Sequence, residues 1–107
     1  YIGAVQDAGS HDAVLAAVDQ QMRVYPHDAR LFAFRAKAYA ALGKRLLQHQ
    51  SQAEVYQLQG SLHAAIEQLQ LARIAGDGDF YELSAVEARL KDLRGQLADE
   101  EKQKRPR

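Results

Sequence analysis

Four histidines are the side chains of this 107-residue chain best suited to binding a metal or moving a proton. The helical zinc motif His-Glu-x-x-His places two imidazoles one turn apart beside a glutamate that serves as a base. None of the four histidines has a second histidine four residues further on. We therefore expect surface or helix-end positions and no metal site, although two of the four fall on neighbouring predicted helices. The histidines are His11, His27, His49 and His63.

The segment Gly76-Asp77-Gly78-Asp79 has the composition of a phosphate-binding or calcium-binding loop. It follows a predicted helix rather than a strand, however, and its aspartates lack the series of oxygen ligands found in calcium loops. We predict a turn in which Asp77 and Asp79 serve as turn and helix-capping residues. The serines also lack an elbow motif and a positioned base. The residues predict no catalytic centre, and we expect this stretch not to be an enzyme.

The charge balance argues against a polyanionic partner. The chain has 14 basic and 14 acidic residues, so its formal net charge is zero and it has no global field to recruit nucleic acid. The basic end, residues 102–107, lacks interleaved aromatic residues, which favours a solvated terminus. No apolar run approaches the roughly 20 residues that span a bilayer, and there is no cysteine for a disulfide or thiolate site. We predict neither nucleic-acid binding nor membrane insertion.

An internal repeat organises the middle of the chain. Residues 36–43 are echoed 17 residues later by residues 53–60, with alanine, tyrosine and glycine at the same offsets. Alanine and tyrosine three residues apart share one helical face, and the glycine four residues later supplies a left-handed helix end. A weaker third copy covers residues 2–9. Seventeen residues are half of the ~34-residue period of a helix-turn-helix solenoid.

Hydrophobic spacing and turn residues predict an all-α fold of five helices plus a truncated N-terminal one. Pro26 ends one helix, Asp28 caps the next, and Asp79 with Glu82 forms a capping box for the last. We expect a fragment of a larger protein, with a helical domain over residues 1–98 and a charged, disordered tail over residues 99–107. The predicted helices are 1–8, 10–25, 29–42, 45–59, 62–75 and a last one from the Asp79 cap to about Ala98.

Each predicted helix carries an apolar stripe that we expect to form the core. The stripes are Val14, Leu15, Val18 and Met22; Phe32, Ala36 and Tyr39; Leu46, Ala53 and Tyr56; Leu62, Ala65, Ile66, Leu69 and Ala72; and Leu83, Val86, Leu90, Leu93 and Leu97.

The motif residues resemble those of a tetratricopeptide repeat, whose pattern runs from a large residue through a small residue, tyrosine, alanine and an aromatic to proline. One copy uses Phe32, Ala36 and Tyr39. Another begins at Ala53 and Tyr56, so adjacent helices both carry the first-helix signature and the repeat boundaries stay open. The resemblance implies a right-handed stack of antiparallel helical hairpins. The second copy continues through Ala65, Leu69 and Ala72.

The stretch from Arg35 to Leu97 also resembles the C-terminal repeat region of bacterial cell-envelope zinc metalloproteases of the β-barrel assembly-enhancing type. The resemblance rests on Tyr39-x3-Gly43, His49-Gln50, Ala53-Glu54-x-Tyr56-x2-Gln59-Gly60, Ala65-Ile66-Glu67-Gln68-Leu69, Gly78-Asp79-Phe80-Tyr81 and Glu87-Ala88-Arg89-Leu90-Lys91-Asp92-Leu93-Arg94.

This second resemblance implies a periplasmic setting and an upstream protease domain that holds zinc. It implies no cofactor in the present stretch. It implies a protein-interaction module that docks on outer-membrane assembly components or on its own protease domain. The module would position partners or substrates, or restrain access to the protease. The alternative is a free-standing cytoplasmic repeat scaffold with no protease attached.

A stack of helical hairpins binds along its concave surface, and the off-stripe residues of two helices are our candidates for it. An exposed phenylalanine beside two cations suits an extended peptide with one apolar and one acidic side chain. The alternative is that Phe34 packs on the neighbouring helix while the cations are solvated. The candidate groove residues are Arg30, Phe34, Lys37, Gln50, Glu54 and Gln57.

Overall fold

The computed structural model describes residues 11–104, and this part of the chain consists of five α-helices and their connections. The prediction of an all-α fold is confirmed for it. The truncated helix expected over residues 1–8 and the third repeat copy lie outside the described residues. The helices are α1 (His11–Met22), α2 (Ala29–Ala41), α3 (Arg45–Leu58), α4 (Leu62–Ile74) and α5 (Phe80–Lys104).

The two copies of the repeated sequence form the C-terminal ends of two helices, with the same hydrogen-bond pattern in each. Gly43 has φ +74° and Gly60 has φ +82°, the left-handed region that a residue with a Cβ rarely adopts. In both copies the residue after the glycine donates its N–H to the carbonyl oxygen of the repeated tyrosine, at 2.9 Å after Gly43 and 2.8 Å after Gly60. This bond closes a Schellman motif, so the repeat encodes the ends of α2 and α3.

The helices pack in chain order, and α3 also contacts α5. Connections of a few residues between packed neighbours reverse the chain direction each time. The resulting body is elongated, with extents of 55 × 29 × 19 Å. One core cluster joins α3, α4 and α5, and a second joins α1 and α2. All five stripe residues predicted for α4 are buried.

Helix α2 buries two faces rather than the single face that we predicted. Leu31 and Ala38 are buried against α1, whereas Phe32 and Tyr39, which we expected in the core, are only half-buried. Ala36 is buried as predicted. The reason is that α2 lies between α1 and α3, so it has apolar contacts on both sides. This leaves two large aromatic side chains partly open to solvent.

The predicted caps of α2 and α5 are confirmed. Asp28 accepts a hydrogen bond from the backbone N–H of Arg30 at 2.9 Å. At α5, Asp79 Oδ1 accepts from the N–H of Glu82 at 2.7 Å, and Glu82 Oε1 accepts from the N–H of Asp79 at 3.1 Å. These reciprocal bonds form a capping box. Asp77, the aspartate before Gly78, caps a different helix.

Asp77 caps α3, a helix 31 residues earlier in the chain, and not a helix that adjoins it. Its two carboxylate oxygens accept from the backbone N–H groups of Arg45 at 2.6 Å and of Leu46 at 3.0 Å. Lys44, the residue at the N-cap position of α3, makes no side-chain cap bond of its own. The Leu46 N–H, which stabilises the charged carboxylate, lowers the pKa of Asp77 below its ordinary value. The adjoining Gly78 sits so close to the Leu46 side chain that a Cβ there would overlap Leu46 Cδ1.

Helix α5 continues to Lys104, so the disordered tail expected from Asp99 is helical over its described part. Residues 99–104 are mostly good helix formers, and Lys102 and Lys104 in the last turn interact favourably with the negative end of the helix dipole. Residues 105–107 lie outside the described part. Among the described helices, none is both long enough and apolar enough to cross a membrane.

Candidate functional site

A groove of about 430 Å³ opens where α2, α3 and α5 meet. It exists because α3 contacts α5 while α2 packs on the adjoining side of α3, which leaves a hollow between the three helices. Both polar and apolar side chains face it. The lining residues are Phe32, Arg35 and Tyr39 from α2, Leu47, Gln50, Ser51 and Glu54 from α3, and Ala85 and Arg89 from α5.

Phe32, Tyr39 and Leu47 form the apolar part of the groove. All three side chains are half-buried, so each keeps a surface that a ligand can cover. Phe32 and Tyr39 lie seven residues apart and therefore project from the same side of α2. Because two rings and a leucine surround one hollow, an apolar side chain of a ligand would displace water from them on entering.

An ion pair joins α3 to α5 on the other side of the groove. Arg89 donates from Nε and Nη2 to the two carboxylate oxygens of Glu54, both at 2.8 Å. The side chains are 28% and 19% exposed respectively, so the pair is partly shielded from water. Arg89 also donates to Asp92 on its own helix. These hydrogen bonds, that with Glu54 foremost, raise the pKa of Arg89 above its ordinary value.

A second guanidinium lines the groove from α2. Arg35 Nη2 lies 3.2 Å from Asp19 Oδ1, and Nη1 lies 3.7 Å from the sulfur of Met22, so the side chain reaches across to α1. Its Nε is buried and has no acceptor among the described residues. The groove therefore presents one carboxylate and two guanidiniums beside its aromatic surface, which suits a ligand that combines apolar and polar groups.

The structure divides the six predicted groove residues. Gln50 and Glu54 line the groove, whereas Arg30, Lys37 and Gln57 are not among its lining residues. Arg30 and Lys37 are exposed, and Arg30 pairs with its own capping residue Asp28 at 3.1 Å.

Phe34 packs against the core cluster of α1 and α2, which is the alternative that we left open. Phe34 therefore projects toward α1, whereas the groove uses the side of α2 that carries Phe32. Phe32 and Tyr39, which we expected in the core, thus line the groove, whereas Phe34, which we expected in the groove, packs against a core cluster.

Sequence reasoning overlooked Arg35 and Arg89. Arg35 does carry a signal, because it lies between Phe32 and Tyr39 on what we took for a core stripe. An arginine there is hard to reconcile with a dry core, since a buried guanidinium needs a charged or polar partner. Arg89 has no comparable local signal. Its partner Glu54 lies 35 residues earlier.

The histidines occupy separate positions. His49 Nδ1 lies 2.8 Å from Gln68 Oε1, which links α3 to α4. His27 and His63 are exposed, and His11 is half-buried at the start of α1. Within residues 11–104, no group of three or more His, Cys, Asp or Glu side chains is arranged to hold a metal ion.

No family model, curated protein or solved structure matches the chain significantly. The groove itself is therefore the basis on which a function is assigned.

Proposed function

We propose that this chain is a non-catalytic protein-interaction module whose groove between α2, α3 and α5 holds a segment of another polypeptide. The observation that carries the proposal is the lining of this groove: half-buried Phe32, Tyr39 and Leu47 beside the Glu54–Arg89 pair. Its volume of about 430 Å³ lies within the range of ~300–1,000 Å³ typical of ligand sites. Aromatic side chains with arginine are also the residues that most often anchor protein interfaces.

A bound segment would place an apolar side chain between the two rings. Its polar groups would lie toward Gln50, Glu54 and the guanidiniums, which orient it rather than supply most of the affinity. An acidic side chain would compete with Glu54 for Arg89, and a basic one would compete with Arg89 for Glu54. The groove thus favours segments that carry an apolar anchor with a polar or charged neighbour.

For the setting, we propose the C-terminal tetratricopeptide-like region of a periplasmic zinc metalloprotease. The sequence resemblance supports this, and so does the stacking of neighbouring helices in chain order. The module would raise the effective concentration of partners, such as outer-membrane assembly components, near the protease domain, or would restrain access to that domain. In the alternative, a free-standing cytoplasmic scaffold, the same groove would bind a different partner. A signal peptide and His-Glu-x-x-His upstream in the gene support the first setting, and their absence supports the second.

Groove binding is tested with a pair of phenylalanine variants. Peptides selected from a random phage-displayed library against the 107-residue chain serve as probes, and their affinity is measured by fluorescence anisotropy. Phe32→Ala removes an anchor from the groove, so we expect at least about 30-fold weaker binding, the loss typical of a central aromatic residue. Phe34→Ala removes the same side chain from the α1–α2 core and should leave affinity within about threefold of the wild type while lowering the melting temperature. If both variants bind like the wild type, or Phe34→Ala alone loses binding, the groove is not the site.

A further inference from the structure

The charged side chains that line the groove differ in how completely they are paired. Glu54 accepts hydrogen bonds from Arg89 with both of its carboxylate oxygens. Arg35 has a single charged contact, from Nη2 to Asp19 Oδ1 at 3.2 Å. Its Nη1 contacts the sulfur of Met22 at 3.7 Å, and a thioether is a weak acceptor. The groove therefore has an incompletely paired cation but no incompletely paired anion.

The two guanidiniums use the same edge in different ways. The Nε and Nη2 donors of an arginine match the two oxygens of one carboxylate. Arg89 holds Glu54 with both donors of this edge, each at 2.8 Å. On Arg35, Nη2 contacts Asp19 while the buried Nε has no acceptor among the described residues. A buried N–H without an acceptor is unfavourable, so a carboxylate that took both positions would complete the pairing of Arg35.

Asp19 can give up Arg35 at little cost. Its side chain is 57% exposed, so water can solvate the carboxylate once Arg35 turns away from α1. Ion pairs with this much exposure contribute little to stability. The Arg35 side chain is itself 29% exposed and lines the groove, so the turn toward a ligand is short.

We propose that the segment held in the groove carries an aspartate or glutamate side chain that replaces Asp19 on Arg35. This inference rests on the proposed function, because it names the chemistry of the segment that the groove binds. A basic side chain is disfavoured, since it would have to break the two hydrogen bonds between Arg89 and Glu54 to reach an anion in the groove.

The position of Arg35 on α2 also places the acidic residue within the segment. Arg35 follows Phe32 by three residues and precedes Tyr39 by four, which are rises of about 4.5 and 6 Å along a helix. In an extended segment, side chains on one face recur every second residue, about 6.6 Å apart. The acidic side chain is therefore expected two positions from the apolar anchor. Because Arg35 lies between the two rings, the carboxylate comes from a side chain rather than from the end of the segment.

The first test reads the sequences of peptides selected from a random phage-displayed library against the 107-residue chain. The peptides are synthesised with amidated C-termini, so that side chains are their only carboxylates. Among those whose binding Phe32→Ala weakens, we expect an aspartate or glutamate two positions from an apolar residue. If these peptides lack an acidic residue or carry a basic one in its place, the inference is wrong while the groove stands. If no peptide depends on Phe32, the groove and the inference fail together.

The second test is a double-mutant cycle between Arg35 and the acidic residue of one such peptide. The peptide and its twin with the corresponding amide residue are titrated against the wild type and Arg35→Gln by fluorescence anisotropy. The amide should bind the wild type about tenfold more weakly, the loss of a charge-assisted hydrogen bond, but should bind Arg35→Gln within about twofold of the acid. Lys37→Gln is the matched control, because it removes the same charge from an exposed position of α2 outside the groove. It should keep the tenfold difference. Equal differences on the wild type and Arg35→Gln would exclude Arg35 as the receiving residue.

The third test concerns the exchange of Asp19. Asp19→Asn frees Arg35, so the acidic peptide should bind up to about fivefold more tightly, while the amide twin is unchanged. Combined with Arg35→Gln, the same substitution should give no gain, which separates the exchange from simple relief of charge repulsion. Circular dichroism checks that each variant remains helical. A folded Asp19→Asn that binds both peptides alike, or that gains as much without Arg35, overturns the exchange.

Discussion

Gly78 is the position at which the packing of the α4–α5 connection is most directly tested. A Cβ built there overlaps Leu46 Cδ1 and lies 3.3 Å from Leu46 Cγ. Leu46 is only 1% exposed, so its methyl group cannot turn into solvent. Gly78 does not have a left-handed φ, and alanine is therefore acceptable to the backbone. A loss of stability in Gly78→Ala would therefore come from steric overlap rather than from backbone strain.

We expect Gly78→Ala to destabilise the fold by about 1–3 kcal/mol, the usual penalty for adding a methyl group to a filled core. At ~4–8 °C per kcal/mol for a domain of this size, the melting temperature should fall by at least about 4 °C. Relief of the overlap would require the connection to move away from α3. That movement would also withdraw Asp77 from the N-terminus of α3 and would add to the loss.

Gly95→Ala is the matched control, because it adds the same methyl group in open space. Gly95 is exposed inside α5 and has no atom within 4 Å of a built Cβ. Alanine in a helix interior is more stable than glycine by about 0.5–1 kcal/mol, so this variant should melt above the wild type. Thermal unfolding followed by circular dichroism at the helical band compares the two. If Gly78→Ala melts with or above the wild type, the connection does not pack on Leu46 as described.

Three further predictions concern Asp77, Ala53 and Phe34. The pKa of Asp77 is lower in the folded state than its unfolded value near 3.8. The contribution of the Asp77 carboxylate to stability is therefore complete above pH 3.8 and is lost as the pH falls through the folded pKa. Urea unfolding should show that Asp77→Asn has a lower free energy of unfolding than the wild type at about pH 6, and this difference should shrink below pH 3.8. Ala53 is fully buried, so Ala53→Leu should cost about 1–3 kcal/mol, whereas Ala98→Leu on the exposed side of α5 should be nearly neutral; equal melting temperatures would show that the helix faces are misassigned. Phe34 is half-buried, so Phe34→Ala should cost less than the roughly 3–5 kcal/mol of a fully buried phenylalanine, measured by the same urea unfolding.

The sequence by itself determined where the helices are and how they begin and end. Gly43 and Gly60 end α2 and α3, and Asp28 and Asp79 begin α2 and α5. Each of these effects depends on hydrogen bonds between residues at most five positions apart. The apolar stripes of α4 and α5 were predictable as well, because each of those stripes follows one helical face.

Tertiary structure alone decided which residues line the groove and what Asp77 caps. The sequence pattern of α2 predicts one buried face, but α2 contacts both α1 and α3 and therefore buries two. As a result Phe34 packs against a core cluster and Phe32 lines the groove. Asp77 bonds to Leu46 across 31 residues and Arg89 to Glu54 across 35. Local patterns record the geometry within one helix, whereas such partners meet only when separate helices have packed at a particular distance and rotation. Polar residues that act across helices therefore look like ordinary solvent-facing residues in the sequence.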